Sequence, residues 1–443
     1  MKIFIGGNFK MEHILSKSIQ DQIIIELKKY IEIFIQMYKN KSFNDKEKDN
    51  ILLLCCEMIN QSYFKEYQNE IEYIITDILN DIKFNLYNDD QNSLSINGMF
   101  TGFGNIAFSI DILKKKTGDF HNFSKFFDQY LLDYSEKSIV DLKEKKLEVI
   151  YYDLIYGFSG VLYYLLDCEN IQNEDNKRKL CNIISYLEYL CQEHYYDKDK
   201  VINFHIEEGQ KYMEDDKDLF PDGYIDFGLA HGMMGVCIAL SKAKHLGYEI
   251  TGLDEATKKL YNIYEMFSVR DEGVLKYPIV LSAKDYANKK SNNLSLNCGW
   301  CYGNIGIVRG MMKVSNYSGL DNKYFYYKEE LIKIINSSIE SYNLDLPILC
   351  HGYASVLAIQ INAYRETKDK RFLNNLERNI LNVLEEHKIL SNINSKIKDN
   401  IYEGYYKNYY KDFSLLDGVG GVILTLMDCI NDDMNFSKIL MID

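Results

Sequence analysis

Apolar residues in this chain fall into two kinds of run that alternate. One kind is amphipathic. In residues 177–194, 255–267, 327–342 and 372–387 apolar positions recur at helical spacing, as Leu180, Ile183, Ile184 and Leu187 do, with charged residues between them. The other kind is apolar nearly all round: "VLYYLLDC", "VCIALSKA", "VLAIQINAY" and "VILTLMDC". An amphipathic helix needs cover on one face, whereas a helix apolar on every side needs cover everywhere. Two concentric layers satisfy both, apolar helices inside and amphipathic helices outside. The pattern predicts an all-α dominated fold, an α/α toroid or double-layered α/α barrel.

Each buried run opens on a glycine followed three residues later by another small or polar residue. The pairs are Gly102 and Asn105, Gly157 and Gly160, Gly232 and Gly235, Gly303 and Gly306, Gly352 and Ser355, and Gly418 and Gly421. Recurrence in phase with helices marks a repeat, and uneven spacing marks insertions within it. Small residues one turn apart are expected to let the first turn of each helix pack closely on a neighbour. Residues 98–443 form the repeat region in this reading, and residues 1–97 add an N-terminal helical part. Two stretches, about 201–227 and 271–296, break the helical pattern with Pro, Gly and short alternating runs such as "VINFHIEE" and "GVLKYPIV". They are expected to be insertions with β character projecting from one end of the barrel.

Composition narrows the function classes. The net charge is −14, which argues against a nucleic-acid partner, because phosphate binding needs Lys/Arg patches. An acidic surface is compatible with a peptide substrate. The beginning, "MKIFIGGNFKMEHILSKS", lacks a sustained apolar segment and a small-residue cleavage site, so no signal peptide is read there. The expected setting is cytoplasmic, with the ten cysteines reduced. Cys168, Cys181, Cys191, Cys237 and Cys429 sit in helical apolar stretches and read as small buried hydrophobes.

Reactive residue types gather just before the glycines. Asp153 precedes Gly157, His231 precedes Gly232, Cys301 and Tyr302 precede Gly303, and Cys350 and His351 precede Gly352. In a toroid these loops all open on one end, so residues far apart in sequence converge on one mouth. Cys and His are suited to Zn2+. Adjacent residues such as Cys350 and His351 reach one ion only from a loop or helix start, which Pro347 and Gly352 favour. His231 fits a general acid/base. Asp153 fits either a helix cap or a partner in that chemistry. Trp300 and Tyr302 either line the pocket or pack. The Cys298–Cys301 pair allows a redox dithiol, a closed four-ligand site with Cys350 and His351, or a three-ligand site with Cys298 as bystander. Only Cys301 is in phase with Gly303, which favours the last.

The segments "YYDLIYGFSG", "GYIDFGLAHGMMG", "GWCYGNIG" and "CHGYAS" resemble, in this order, those of the lanthionine synthetase C-like (LanC) cyclases. The likeness runs from about Gly98 onward. It implies an α/α toroid with strand-bearing insertions and one Zn2+ bound by Cys301, Cys350 and His351. It also implies proton transfer by His231 and Asp153, with Tyr302 as a further active-site residue. The implied substrate is a dehydrated precursor peptide, leader plus core, whose cysteines are added to dehydroalanine or dehydrobutyrine to form thioether rings. A separate dehydratase and a peptide exporter are the implied partners, with at most peripheral membrane association through such a complex. The alternative is a LanC-like peptide-binding scaffold with structural zinc and no catalysis. One departure stands out: Asn297 occupies a position where family members often carry a basic residue.

Overall fold

The apolar runs form helices with almost no exposed residue, and these set the inner layer. In the computed structural model, which describes residues 14–43, 47–87, 98–140, 142–207, 220–392 and 409–443, fifteen α-helices are described. The inner ones are α2 (Lys48–Met58), α4 (Phe103–Thr117), α6 (Phe158–Leu165), α8 (Met233–His245), α11 (Asn304–Tyr317), α13 (Tyr353–Thr367) and α15 (Val419–Asp428). Every residue of α6 and of α15 is buried. In α15 six apolar side chains, Val419, Val422, Ile423, Leu424, Leu426 and Met427, leave water at roughly 1.5–3 kcal/mol each. That far exceeds the helix penalty of about 1 kcal/mol each for Gly420 and Gly421.

The amphipathic segments form the outer layer: α1 (Lys17–Lys39), α3 (Gln68–Tyr87), α5 (His121–Ile139), α7 (Glu174–Leu190), α9 (Leu253–Phe267), α12 (Asp321–Ile335) and α14 (Leu376–Asn392). In α9, Leu253, Ala256, Leu260, Ile263, Tyr264 and Phe267 face inward, while Glu255, Lys258 and Asn262 are exposed. The inner ring closes. Helix α2 packs on α4, α6 on α8, α8 on α11, α11 on α13, α13 on α15, and α15 returns to α2. Helices α4 and α6 meet through Tyr164, whose hydroxyl donates to the Ala107 carbonyl and whose ring stands edge-on to Phe108. Each inner helix has an outer one against it. This is the α/α toroid that the periodicity predicts.

The glycines act differently from the expectation. Gly303, at the start of α11, has an ordinary extended backbone, so no special torsion is required of it. A Cβ there would lie 2.1 Å from the Gly299 nitrogen, and one on Gly306 would lie 2.1 Å from the Trp300 carbonyl oxygen. The close approach is therefore to the loop that precedes the helix, folded back on the first turn, and not to a neighbouring helix.

Strands are short. β1 (Glu193–Tyr196) and β2 (Asp199–Ile202) form an antiparallel hairpin, as do β4 (Val269–Asp271) and β5 (Val274–Lys276). The helix expected to continue to His194 stops at Leu190, because residues 193–196 pair in this hairpin, whose turn takes Asp197 into the left-handed region. β3 (Ile225–Asp226) pairs with β6 (Val280–Leu281), Ile225 opposite Leu281 and Asp226 opposite Val280, just before the short helix α10 (Ala283–Ala287). The two segments read as insertions are thus joined. Residues 208–219 of the first insertion, and residues 1–13, where no signal peptide was read, lie outside the described residues. Among the described residues no helix is long and apolar enough to cross a membrane.

Candidate functional site

Backbone hydrogen bonds link the loops before the inner helices into a collar. Phe100 N–H donates to Ile155 O (3.4 Å), Leu154 N–H to Ala230 O (2.9 Å) and Leu229 N–H to Cys301 O (2.8 Å). Cys301 N–H donates to Cys350 O (3.1 Å), and Cys350 N–H to Leu416 O (3.0 Å). The loops contain Asp153, His231, Cys301, Tyr302, Cys350 and His351, so fixed main-chain bonds hold residues distant in sequence at one mouth.

Cys301, Cys350 and His351 form one group, with a ligand atom from each lying within 4.8 Å of the others. Gly299 allows this: a Cβ there would lie 2.9 Å from His351 Cα, so the 298–303 loop lies flush on the His351 backbone. The neighbouring Cys350 thiol, with help from His351 and against the effect of burial, pulls the Cys301 thiol down to about 6. The same neighbour relation, with burial, pushes Cys350 up. Two thiols this close to an imidazole are a donor set that fits a sulfur-seeking divalent cation. Cys298 is not in the group. It is buried, and burial pushes its thiol up to about 12, which keeps it a neutral hydrophobe.

His231 and Asp153 form a second unit. His231 Nδ1 lies 2.6 Å from Asp153 Oδ2. Asp153 is fully buried, and its Oδ1 accepts from Tyr156 N–H and Gly157 N–H, both at 2.7 Å. The cap and the partner foreseen as alternatives for Asp153 are therefore one arrangement, with one oxygen for each. Burial would lower the basicity of His231, but the hydrogen bond and charge of Asp153 overcome it and raise the imidazole above its ordinary value. Burial pushes Asp153 upward, opposed by His231 and by the two N–H groups. Two phenol rings border the imidazole, Tyr156 with centroids 6.4 Å apart and Tyr302 at 6.0 Å.

Trp300 packs and does not line the mouth: it is 1% exposed and its Nε1–H donates to Leu440 O. Asn297 forms the turn, its Oδ1 accepting from Gly299 N–H and its carbonyl from Asn304 N–H. Two groups escaped the sequence reading. Asp226, from β3, is buried, its Oδ1 accepts the Gly228 N–H at 2.7 Å, and burial pushes its carboxyl up to about 7. Asp417, exposed, acts electrostatically on His351. Asp417 stands directly before Gly418, in phase with His351, which was the available signal. No local signal marked Asp226.

The family model for lanthionine synthetase C-like proteins matches residues 51–441. The chain belongs to that family. Among curated proteins it is similar to the nisin biosynthesis protein NisC of Lactococcus lactis subsp. lactis, at 27% identity over 347 residues, covering 76% of this chain and 78% of the relative. Among solved structures it is similar to nisin cyclase, with TM-score 0.75 and 22% identity, covering 94% of this chain and 98% of the other. That likeness establishes the LanC-like toroid over nearly the whole length of both chains. The match at 51–441 also takes in most of α2, the inner helix that has no glycine motif before it.

Proposed function

We propose that this LanC-like chain is a zinc-dependent peptide cyclase. It adds cysteine thiols of a dehydrated precursor peptide, leader plus core, to dehydroalanine and dehydrobutyrine, forming lanthionine and methyllanthionine rings. The observation that carries the reading is the convergence of a Cys301–Cys350–His351 donor group and a His231–Asp153 proton-transfer pair on one mouth. Zn2+ held by Cys301, Cys350 and His351 would, when bound, make a peptide thiol acidic enough to react at neutral pH. With Cys298 outside the group, the protein offers three donors and not the four of a closed structural site, which speaks against a mere scaffold.

The chain's own residues then manage one proton. Addition forms a C–S bond at the β-carbon, releases the thiol proton and requires a proton at the α-carbon. Asp153 accepts from Nδ1–H of His231, which leaves Nε2 to give or take that proton. Tyr302, kept a neutral phenol by burial, borders His231. A separate dehydratase must supply the electrophile, because only the addition is provided for in this site, and an exporter is the expected recipient of the product. The setting proposed is cytoplasmic, with at most peripheral membrane contact through that assembly. The test is incubation of the zinc-loaded protein with a dehydrated precursor, followed by thiol alkylation and mass spectrometry. Loss of alkylatable thiol is expected. Binding without thiol loss would leave only the scaffold.

A further inference from the structure

Four inner helices start with one geometry. Gly232, Gly303, Gly352 and Gly418 are buried and extended, with φ between −123° and −83°. Main-chain bonds join these turns at one register, two residues before the glycine. Ala230 N–H donates to Cys301 O (3.4 Å), Cys301 N–H to Cys350 O (3.1 Å) and Cys350 N–H to Leu416 O (3.0 Å). The next residue in each turn is His231, Tyr302, His351 or Asp417. These four therefore follow one another around the mouth in that order. The first three have places in the chemistry above, and Asp417 has none. It is also the most open of the four: exposed, where the others are half-buried. Among the described residues its carboxylate has no hydrogen bond and no ion pair. The other acid of its loop, Asp412, is engaged, because its Oδ1 accepts the Ser414 N–H at 2.9 Å.

We propose that Asp417 is a specificity-determining residue of the mouth, a role that rests on the cyclase reading. Its unpaired carboxylate favours a cationic residue beside the cysteine that enters and disfavours an acidic one. In that reading the peptide thiol goes to the Cys301–Cys350–His351 group. Side chains flanking the cysteine then come to lie along the mouth, and Asp417 is the next group after His351. A Lys or Arg side chain is long enough to bring its charge to such a carboxylate while its backbone stays outside. In a partly solvated mouth the attraction exceeds its value in bulk water, and a like charge brought there is repelled to a similar degree. The effect is on which peptide binds and not on the proton steps, because His231 and Asp153 are held by bonds of their own.

The test measures binding of undehydrated precursor, which has the thiol but no electrophile, to the zinc-loaded protein. Three versions of the peptide place Lys, Ala or Glu next to a ring-forming cysteine. The wild type should bind the Lys version roughly 5-fold to 20-fold more tightly than the Glu version, with Ala between them. Asp417→Asn should reduce that ratio to about 2-fold or less, and Asp417→Lys should invert it, both with zinc content unchanged. The wild-type ratio should shrink as salt is added. Glu249→Gln, at an exposed acid beyond the far end of α8, removes the same net charge and should leave the ratio as in the wild type. Equal binding of the Lys and Glu versions by the wild type would overturn the proposal. So would an unchanged ratio in Asp417→Asn, or an equal fall in Glu249→Gln. Zinc loss in Asp417→Asn would also overturn it, by making the residue a support for His351 and not a contact for the peptide. Cyclisation of the dehydrated Ala version is followed separately. Absence of turnover by the wild type would remove the cyclase reading, whereas turnover without a preference for Lys over Glu in binding would remove only the role of Asp417.

Discussion

His231 Nδ1 stands 2.6 Å from Asp153 Oδ2, a contact made across 78 residues of chain and held by two further N–H bonds to the same carboxylate. The carboxylate claims Nδ1, so in the proposed cyclase reaction Nε2 is the nitrogen that exchanges the proton. His231→Asn should keep the fold and the zinc but lose on the order of 10²-fold or more in ring formation. Asp153→Asn should also be slow, because its amide N–H would face Nδ1 and favour the tautomer with Nε2 protonated. Ring formation by His231→Asn at the wild-type rate would remove this residue from the mechanism.

The same pair fixes a pH dependence. The folded imidazole binds its proton more tightly than the unfolded one. Its contribution to stability is therefore fully present below the ordinary histidine value of 6.5 and is lost as pH rises through the higher folded value. The difference in melting temperature between wild type and His231→Asn should be larger at pH 6 than at pH 9. A difference that grows with pH would contradict the raised value.

Cysteine substitutions distinguish a three-donor site from a closed one. Cys301→Ala and Cys350→Ala should lose both bound zinc and cyclisation. Cys298→Ala should keep one zinc per chain and near-normal activity, because this neutral, buried thiol lies outside the donor group. Metal analysis of the purified variants decides it. Zinc loss in a folded Cys298→Ala variant would establish a structural site.

Two glycines should fail for different reasons. In Gly303→Ala the added carbon meets backbone only, 2.1 Å from the Gly299 nitrogen, so nothing can swing aside. The expected cost is about 1–3 kcal/mol, with zinc lost as the Cys301 loop shifts. Gly118→Ala has open space around it but a φ of +76°, and should cost about 1–2 kcal/mol through backbone strain alone, with zinc unchanged. Denaturant unfolding and metal analysis together check both.

The layered helices were legible because burial on all sides leaves a mark in composition: α6 and α15 contain hardly a charged residue. Helix α2 falls in the N-terminal part read as helical, but for want of a glycine motif it was not singled out as an inner helix, although "ILLLCC" has the same character. Cys301, Cys350, His351, His231 and Asp153 stood out because each keeps phase with a glycine. Asp226 could not stand out. Its place depends on β3 pairing with a strand from the other insertion, and a two-residue register has no period to read. The role of the glycines was misread for a related reason: spacing shows that a close approach occurs, but not which backbone is approached.

Ring closure has a kinetic side. The inner layer is complete only when α15 docks on α2, two helices from opposite ends of the chain. Contacts at such separation cost loop-closure entropy before they return any burial, so this step should come late and slowly. The collar makes the reactive groups wait for it. Cys350 N–H is held by Leu416, in the loop that leads into α15, and Cys301 N–H is held in turn by Cys350. A chain halted before Leu416 would contain Cys301, Cys350, His351, His231 and Asp153, yet its two thiols would not be fixed for a metal. Zinc uptake during refolding should therefore lag behind helix formation and coincide with the last docking event.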